Sequence, residues 1–202
     1  MNTRTTKDSA LFALASVSIV CLLAEMYQLT TMTFAVCAWL IPAAFALTIW
    51  LGWALKKGDR ETVTVIAGGA LFGFVAAIVY DVYRIPFALS GFPIFSVFPK
   101  FGRMIMGNDA PAWAVYAAGW AYHFSNGMGF GVMYMALGRR ASPLWAVAFA
   151  VFIEVCMLLS PYPKTFGFAV TTTFLAITLS AHAIFGAAIG LQVRQWKRLA
   201  HA

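Results

Sequence analysis

The sequence predicts an all-α, polytopic membrane helix bundle with six transmembrane helices, and three observations carry that prediction. Apolar residues make up 62% of the chain and charged residues only 10%, whereas a soluble domain carries roughly 25% charged residues. The apolar residues fall into continuous runs long enough to cross a hydrocarbon core, about 20 residues of helix each. The basic residues sit mainly in the short breaks between runs, where they set topology. Continuous rather than alternating runs exclude a β-barrel. The net charge of +7 is dispersed over loops, which excludes the one-sided basic footprint of a nucleic-acid binder. Residues 1–202 read as a single integral membrane domain.

The first span runs from about Ser9 to Tyr27, behind Arg4 and Lys7. It lacks a small-residue cleavage site and leads directly into another apolar run, so it reads as an anchored span rather than a leader. The polar break 27–31 precedes a second span from about Met32 to Leu55, in which Pro42 predicts a kink unless a neighbour satisfies the freed carbonyl. The charged turn 56–61 leads to a third span, about Thr62 to Tyr83. A long connection from Arg84 to Pro111 follows, and then a fourth span, about Ala112 to Leu137. Gly138, Arg139 and Arg140 form a tight turn. Ser142 and Pro143 supply an N-cap and a first-turn proline for the fifth span, which ends at Pro161. The sixth runs from about Ala169 to Val193, before a basic tail.

With both ends inside, ten of the Lys and Arg residues are cytoplasmic (Arg4, Lys7, Lys56, Lys57, Arg60, Arg139, Arg140, Arg194, Lys197 and Arg198), against Arg84, Lys100, Arg103 and Lys164 outside. That asymmetry predicts an N-in, C-in arrangement. Trp39, Trp50, Trp53, Trp113, Trp145 and Trp196 fall near span boundaries, as interfacial anchors do. Cys21, Cys37 and Cys156 lie inside apolar runs without ligand spacing and read as small buried hydrophobes.

Against this background His123, Glu154 and His182 stand out. Ionisable groups inside membrane spans are expensive and mark function by default. Counted from the nearest basic floor, these three and Asn126 rise roughly 18–24 Å, one layer just outside the midplane. On the fourth span Tyr116, Gly119, His123, Asn126, Gly127 and Tyr134 share a stripe. On the sixth, Thr171, Thr178, His182, Gly186 and Gly190 do so, and Gly186 with Gly190 forms a GxxxG that lets helices approach. Gly127, Gly129 and Gly131 are expected to open space beside His123 and Asn126. Asp81 and Arg84 lie higher, toward the outer rim, where they either pair locally at i, i+3 or reach a ligand. Glu25 is expected to snorkel or pair near the outer interface, and His201 to be solvated.

The expected ligand-binding set is therefore His123, Asn126, Glu154 and His182, with Asp81 and Arg84. Four chemistries compete. Two imidazoles and a carboxylate (His123, Glu154, His182) suit zinc or iron. Two histidines on neighbouring helices also suit a haem. The same groups make a proton relay, or simply a hydrogen-bond network that fixes helix packing. The segment 84–111 is too apolar for a free loop. Its Pro86, Pro93 and Pro99 break it, and its phenylalanines alternate with cations. It is expected to lie in the outer interface or re-enter the bundle, as a lid whose cations meet a lipid phosphate or an anionic substrate.

His123-Phe124 followed by a Gly/Phe-rich helix ending in Tyr134, a proline after the fifth span, and His182 four residues before Gly186 together resemble small polytopic inner-membrane proteins of the YagU type. The resemblance covers the C-terminal half and implies a location, the bacterial inner membrane, more than a chemistry. Size and span number are also similar to substrate-binding subunits of energy-coupling vitamin importers. The function expected is binding or translocation of a small molecule, lipid or ion, with membrane lipid, a partner subunit or a second copy as partners. The alternatives are a metal-dependent enzyme and a structural subunit. With no P-loop, nucleotide fingerprint or serine elbow, transport would need an ion gradient or a partner ATPase.

Overall fold

The computed structural model describes residues 3–138 and 142–200; it is helical throughout, with no strand among the described residues. The helices are α1 (Thr3–Met26), α2 (Met32–Lys57), α3 (Arg60–Leu89), α4 (Val97–Met106), α5 (Ala112–Gly138), α6 (Pro143–Leu159), the single turn α7 (Tyr162–Thr165) and α8 (Thr172–Ala200). Four of them, α1, α2, α3 and α8, are long and apolar enough to cross a membrane. The predicted fourth and fifth spans form helices but differ from those four. α5 has 27 residues, yet His123, Ser125, Asn126 and several Tyr and Trp residues dilute its apolar character. α6 is shorter, at 17 residues. Arg139, Arg140 and His201 lie outside the described residues.

Helix boundaries follow local chemistry. Thr31 caps α2, its hydroxyl accepting from the Phe34 N–H. Gly58 closes α2 in the left-handed conformation at φ 66°. Asp59 caps α3, accepting from the Thr62 N–H at 3.1 Å and the Thr62 hydroxyl at 2.6 Å, with Lys7 Nζ at 3.4 Å. Ser142 stands at the predicted cap of α6 but makes no side-chain cap bond, and Pro143 holds the first turn.

Three predicted boundaries shift. The kink expected at Pro42 takes the form of a π turn over Val36–Leu40, where the Ile41 N–H reaches back to Val36 O. α3 runs through Pro86 to Leu89, because a proline removes one bond and the next turn still closes, with the Ser90 N–H and hydroxyl donating to Pro86 O. α8 begins at Thr172, where Thr171 Oγ1 accepts from the Phe174 N–H, and continues through the basic tail.

α5 packs against α1, α3 and α4, and α8 packs against both α6 and α3. Small residues make the two tightest pairings. A Cβ on Gly69, Gly73 or Gly131 would strike the facing backbone of the α3–α5 pair. One on Gly186 or Gly190 would strike α6 at Ala146, Val147 or Pro143. Gly127 and Gly131 let α5 touch α3, Gly127 also bordering open space beside His123 and Asn126, while Gly129 meets α1 at Ala15. The outward faces are apolar. α2, held mainly along α1, presents Phe45, Ile49 and Trp53. Tyr116, Cys37 and Cys156 also face outward, and only Cys21 of the cysteines is buried.

Gly73→Ala should cost about 1–3 kcal/mol by forcing two backbones apart. Gly52→Ala, with nothing within 4 Å of the new methyl, should be neutral or stabilising by up to about 1 kcal/mol. Thermal unfolding in detergent compares them. The Thr62 hydroxyl and N–H, with help from Lys7, hold the Asp59 carboxyl below its ordinary value. Its stabilising effect is therefore present above the unfolded carboxyl pKa and lost as pH falls through the lowered folded one. Asp59→Ala should cost about 1 kcal/mol at neutral pH, and the Tm gap to wild type should close on acidification.

Candidate functional site: two acid–imidazole pairs around one chamber

A stripe on α3 advances four residues at a time through Gly69, Gly73, Ala77 and Asp81. The facing stripe on α5 runs back through Gly131, Gly127 and His123. The small residues bring the backbones together at one end of the pair. At the other end the acid meets the imidazole: His123 Nε2 donates to Asp81 Oδ2 at 2.9 Å. Asp81 Oδ1 accepts from Arg84 on the same helix at 2.5 Å. Both are buried, with 8% and 5% of their surface exposed. The Arg84 guanidinium also lies 4.0 Å from the Tyr80 ring centroid and 5.0 Å from that of Phe95.

The α6–α8 pair is built on the same plan. α8 runs back through Gly190, Gly186, His182 and Thr178, against Pro143, Ala146, Ala150 and Glu154 on α6. His182 Nε2 lies 3.2 Å from Glu154 Oε2. Its Nδ1 donates to Thr178 O at 2.9 Å, and the Thr178 hydroxyl donates to Glu154 Oε1. Tyr80 stands between the pairs, with its ring centroid 5.0 Å from that of His182 and 6.2 Å from that of His123.

The pairs border one cavity of about 140 Å³, whose remaining wall is apolar and aromatic. All of Arg84, His123, Asn126, Glu154 and His182 line it; Asp81 sits behind, reaching it through His123 and Arg84. Tyr122 donates to Ser18 O. Arg84 Nε and Asn126 Oδ1 are buried beside the cavity with no hydrogen-bond partner.

The expected layer is therefore assembled, but in a different combination. His123 joins Asp81, not Glu154. The proposed zinc or iron set fails on this geometry. Among the described residues no three His, Cys, Asp or Glu side chains come together to hold a metal, and His123, Glu154 and His182 divide between two pairs. Asp81 makes the local i, i+3 pair with Arg84 and meets His123 at the same time. Glu25 turns back to accept from the Met32 N–H.

The segment 84–111 folds over the chamber. Phe92, Pro93, Ile94, Val97 and Phe101 contribute to its wall. α4 packs on α5 where Gly102 meets the Val115 backbone and Gly119 that of Phe98. Lys100 donates to Phe166 O, so this cation ties the cover to the α6–α8 connection. Tyr80, Thr178 and Trp120, whose ring lies tilted against that of Phe98 at 3.9 Å, were not among the expected site residues. Tyr80 is legible as i−4 to Arg84 and Thr178 as i−4 to His182.

Removing one member of a buried ion pair leaves the other uncompensated. Asp81→Ala and Arg84→Ala should each cost about 3–5 kcal/mol. The double variant should cost clearly less than the sum, as read by unfolding in detergent.

No family model, curated protein or solved structure matches the chain.

Proposed function

We propose that this is a six-span, N-in/C-in protein of a bacterial inner membrane that binds a small molecule, lipid or ion in the chamber beneath the 84–111 segment. The observation that carries the reading is the chamber itself: an apolar, aromatic cavity into which an arginine, two histidines and a glutamate converge from α3, α5, α6 and α8. Ligand sites have this composition, mostly apolar with a few directed polar groups. The unpaired Arg84 Nε and Asn126 Oδ1 at its border add a donor and an acceptor that the chain leaves unmet. Lys and Arg asymmetry places the chamber in the outer half of the membrane, and the likeness of the C-terminal half to YagU-type proteins agrees with the location.

A second reading, a structural subunit, is favoured by one observation. Each acid–imidazole pair ties two helices that are already neighbours, α3 to α5 and α6 to α8.

Native mass spectrometry on protein released from mild detergent separates the two. A ligand-binding protein is expected to carry an additional small-molecule mass that a cavity-filling Ile153→Phe variant loses while remaining folded. Wild-type protein with the mass of the polypeptide alone, after extraction under conditions that retain lipid, would favour the structural reading.

A further inference from the structure

A second cleft, of about 360 Å³, opens at the other end of three helices that bear the chamber. Tyr134 of α5, Pro143 of α6 and Arg194 of α8 line it. Along those helices they stand eleven residues from His123, eleven from Glu154 and twelve from His182, roughly 17 Å of helical rise. Gly190, Lys197 and Arg198 also border the cleft.

Its charged groups are of one sign. Arg194, Lys197 and Arg198 recur at i, i+3 and i+4, which sets them on one face of α8. Among the described residues none of the three takes part in an ion pair, and no acid lines the cleft. Pro143 brings the N-terminal end of α6 to the same place. The dipole of this 17-residue helix is positive there, and Ser142 makes no side-chain cap bond. Tyr134 is the observation that turns a basic face into a site. Only 3% of this residue is exposed. Its ring lies 6.1 Å from that of Phe149, and its hydroxyl has no hydrogen-bond partner among the described residues. An enclosed phenol needs such a partner, and the cleft that Tyr134 lines is where one can stand.

We propose that this cleft binds the phosphate of an anionic phospholipid. Guanidinium groups match phosphate oxygens as a fork, and the phenol adds a further donor. Three cations without a facing acid disfavour a zwitterionic headgroup, whose ammonium would meet like charge. The surroundings fit a lipid better than a free phosphate. Leu144 and Leu191, next in the chain to Pro143 and Gly190, are exposed, as are Trp145 and Trp196. Acyl chains find apolar surface on the leucines, and the indoles suit headgroup level. The proposed N-in/C-in orientation sets the cleft in the cytoplasmic leaflet, away from the chamber's cover. The inference stands whether or not the chamber binds a ligand.

Native mass spectrometry of the full chain in mild detergent, titrated with phosphatidylglycerol or with phosphatidylcholine of the same acyl chains, tests it. Wild-type protein should bind phosphatidylglycerol about tenfold more tightly. Arg194→Gln/Arg198→Gln should remove most of that preference. Lys56→Gln/Lys57→Gln, in a basic turn outside the cleft, should leave it unchanged. Tyr134→Phe, which deletes only the unbonded hydroxyl, should weaken phosphatidylglycerol binding by about threefold or more. Equal affinity for the two lipids, or an unchanged preference in either cleft variant, overturns the inference. So does displacement of the lipid by an equal concentration of inorganic phosphate, which would assign the cleft to a free anion. Arg194 and Arg198 are exposed, so their variant should fold, and it decides should Tyr134→Phe not.

Discussion

A carboxylate enclosed by apolar helices has to find its counter-charge within contact distance, since desolvation costs several kcal/mol per ion. Asp81 meets that constraint on both oxygens, with Arg84 on its own helix and His123 on α5. The consequence reaches beyond the pair. Asp81 shares its stripe with Gly69, Gly73 and Ala77, and His123 shares its own with Gly127 and Gly131. Helix rotation that joins acid to imidazole therefore also turns the small residues toward each other. Close backbone approach and charge neutralisation select the same orientation, so each reinforces the other.

The α6–α8 pair repeats the plan with different chemistry. Glycine and alanine again close one end, at Gly186, Gly190 and Ala146, and an acid and an imidazole meet at the other. What differs is the third partner. Arg84 gives Asp81 a permanent positive charge, whereas Thr178 gives Glu154 only a neutral hydroxyl. One carboxylate thus has a permanent cation beside it and the other has a hydroxyl and an imidazole. The asymmetry follows from a single position on each acid-bearing arrangement, not from a difference in burial, since Asp81 and Glu154 are both nearly enclosed.

Helices, their approximate ends and the shared level of His123, Glu154 and His182 around one cavity were legible in the sequence because they depend on local runs and helical periodicity. Pairing was not. A common depth says that groups can meet, but which imidazole meets which acid depends on helix neighbours, and α3 with α5 and α6 with α8 cannot be read from spacing. The depth of Asp81 was counted from Arg60, a measure that says nothing of its neighbours. α3 continues to Leu89, with Pro86 inside it, and that keeps Arg84 beside Asp81 on a regular turn. Of the α5 glycines, Gly127 does border the cavity, whereas Gly131 was misjudged. A missing side chain leaves space only if no other backbone fills it, and Gly69 and Gly73 lie on the facing helix to do so.

The two helix pairs are each locked internally by glycine contacts and an acid–imidazole link, whereas the links between them are of another kind. Tyr83 bonds Ser180 at 2.9 Å, Gln192 donates to Phe72 O at 3.2 Å, and Tyr80 meets His182 edge-on. These are isolated polar or aromatic contacts along α3 and α8, without a small-residue seam. The chamber lies at this looser junction, and its cover is attached to both sides: α4 rests on α5 through Gly102 and Gly119, while Lys100 reaches Phe166 beyond α6. Space for a ligand therefore occurs where the two tightly packed pairs meet, since close-packed backbone leaves none within either. Tyr80 occupies the same junction, touching the Arg84 cation and the His182 ring at once. A change of charge at one acid–imidazole pair thus has a direct physical contact through which it reaches the other.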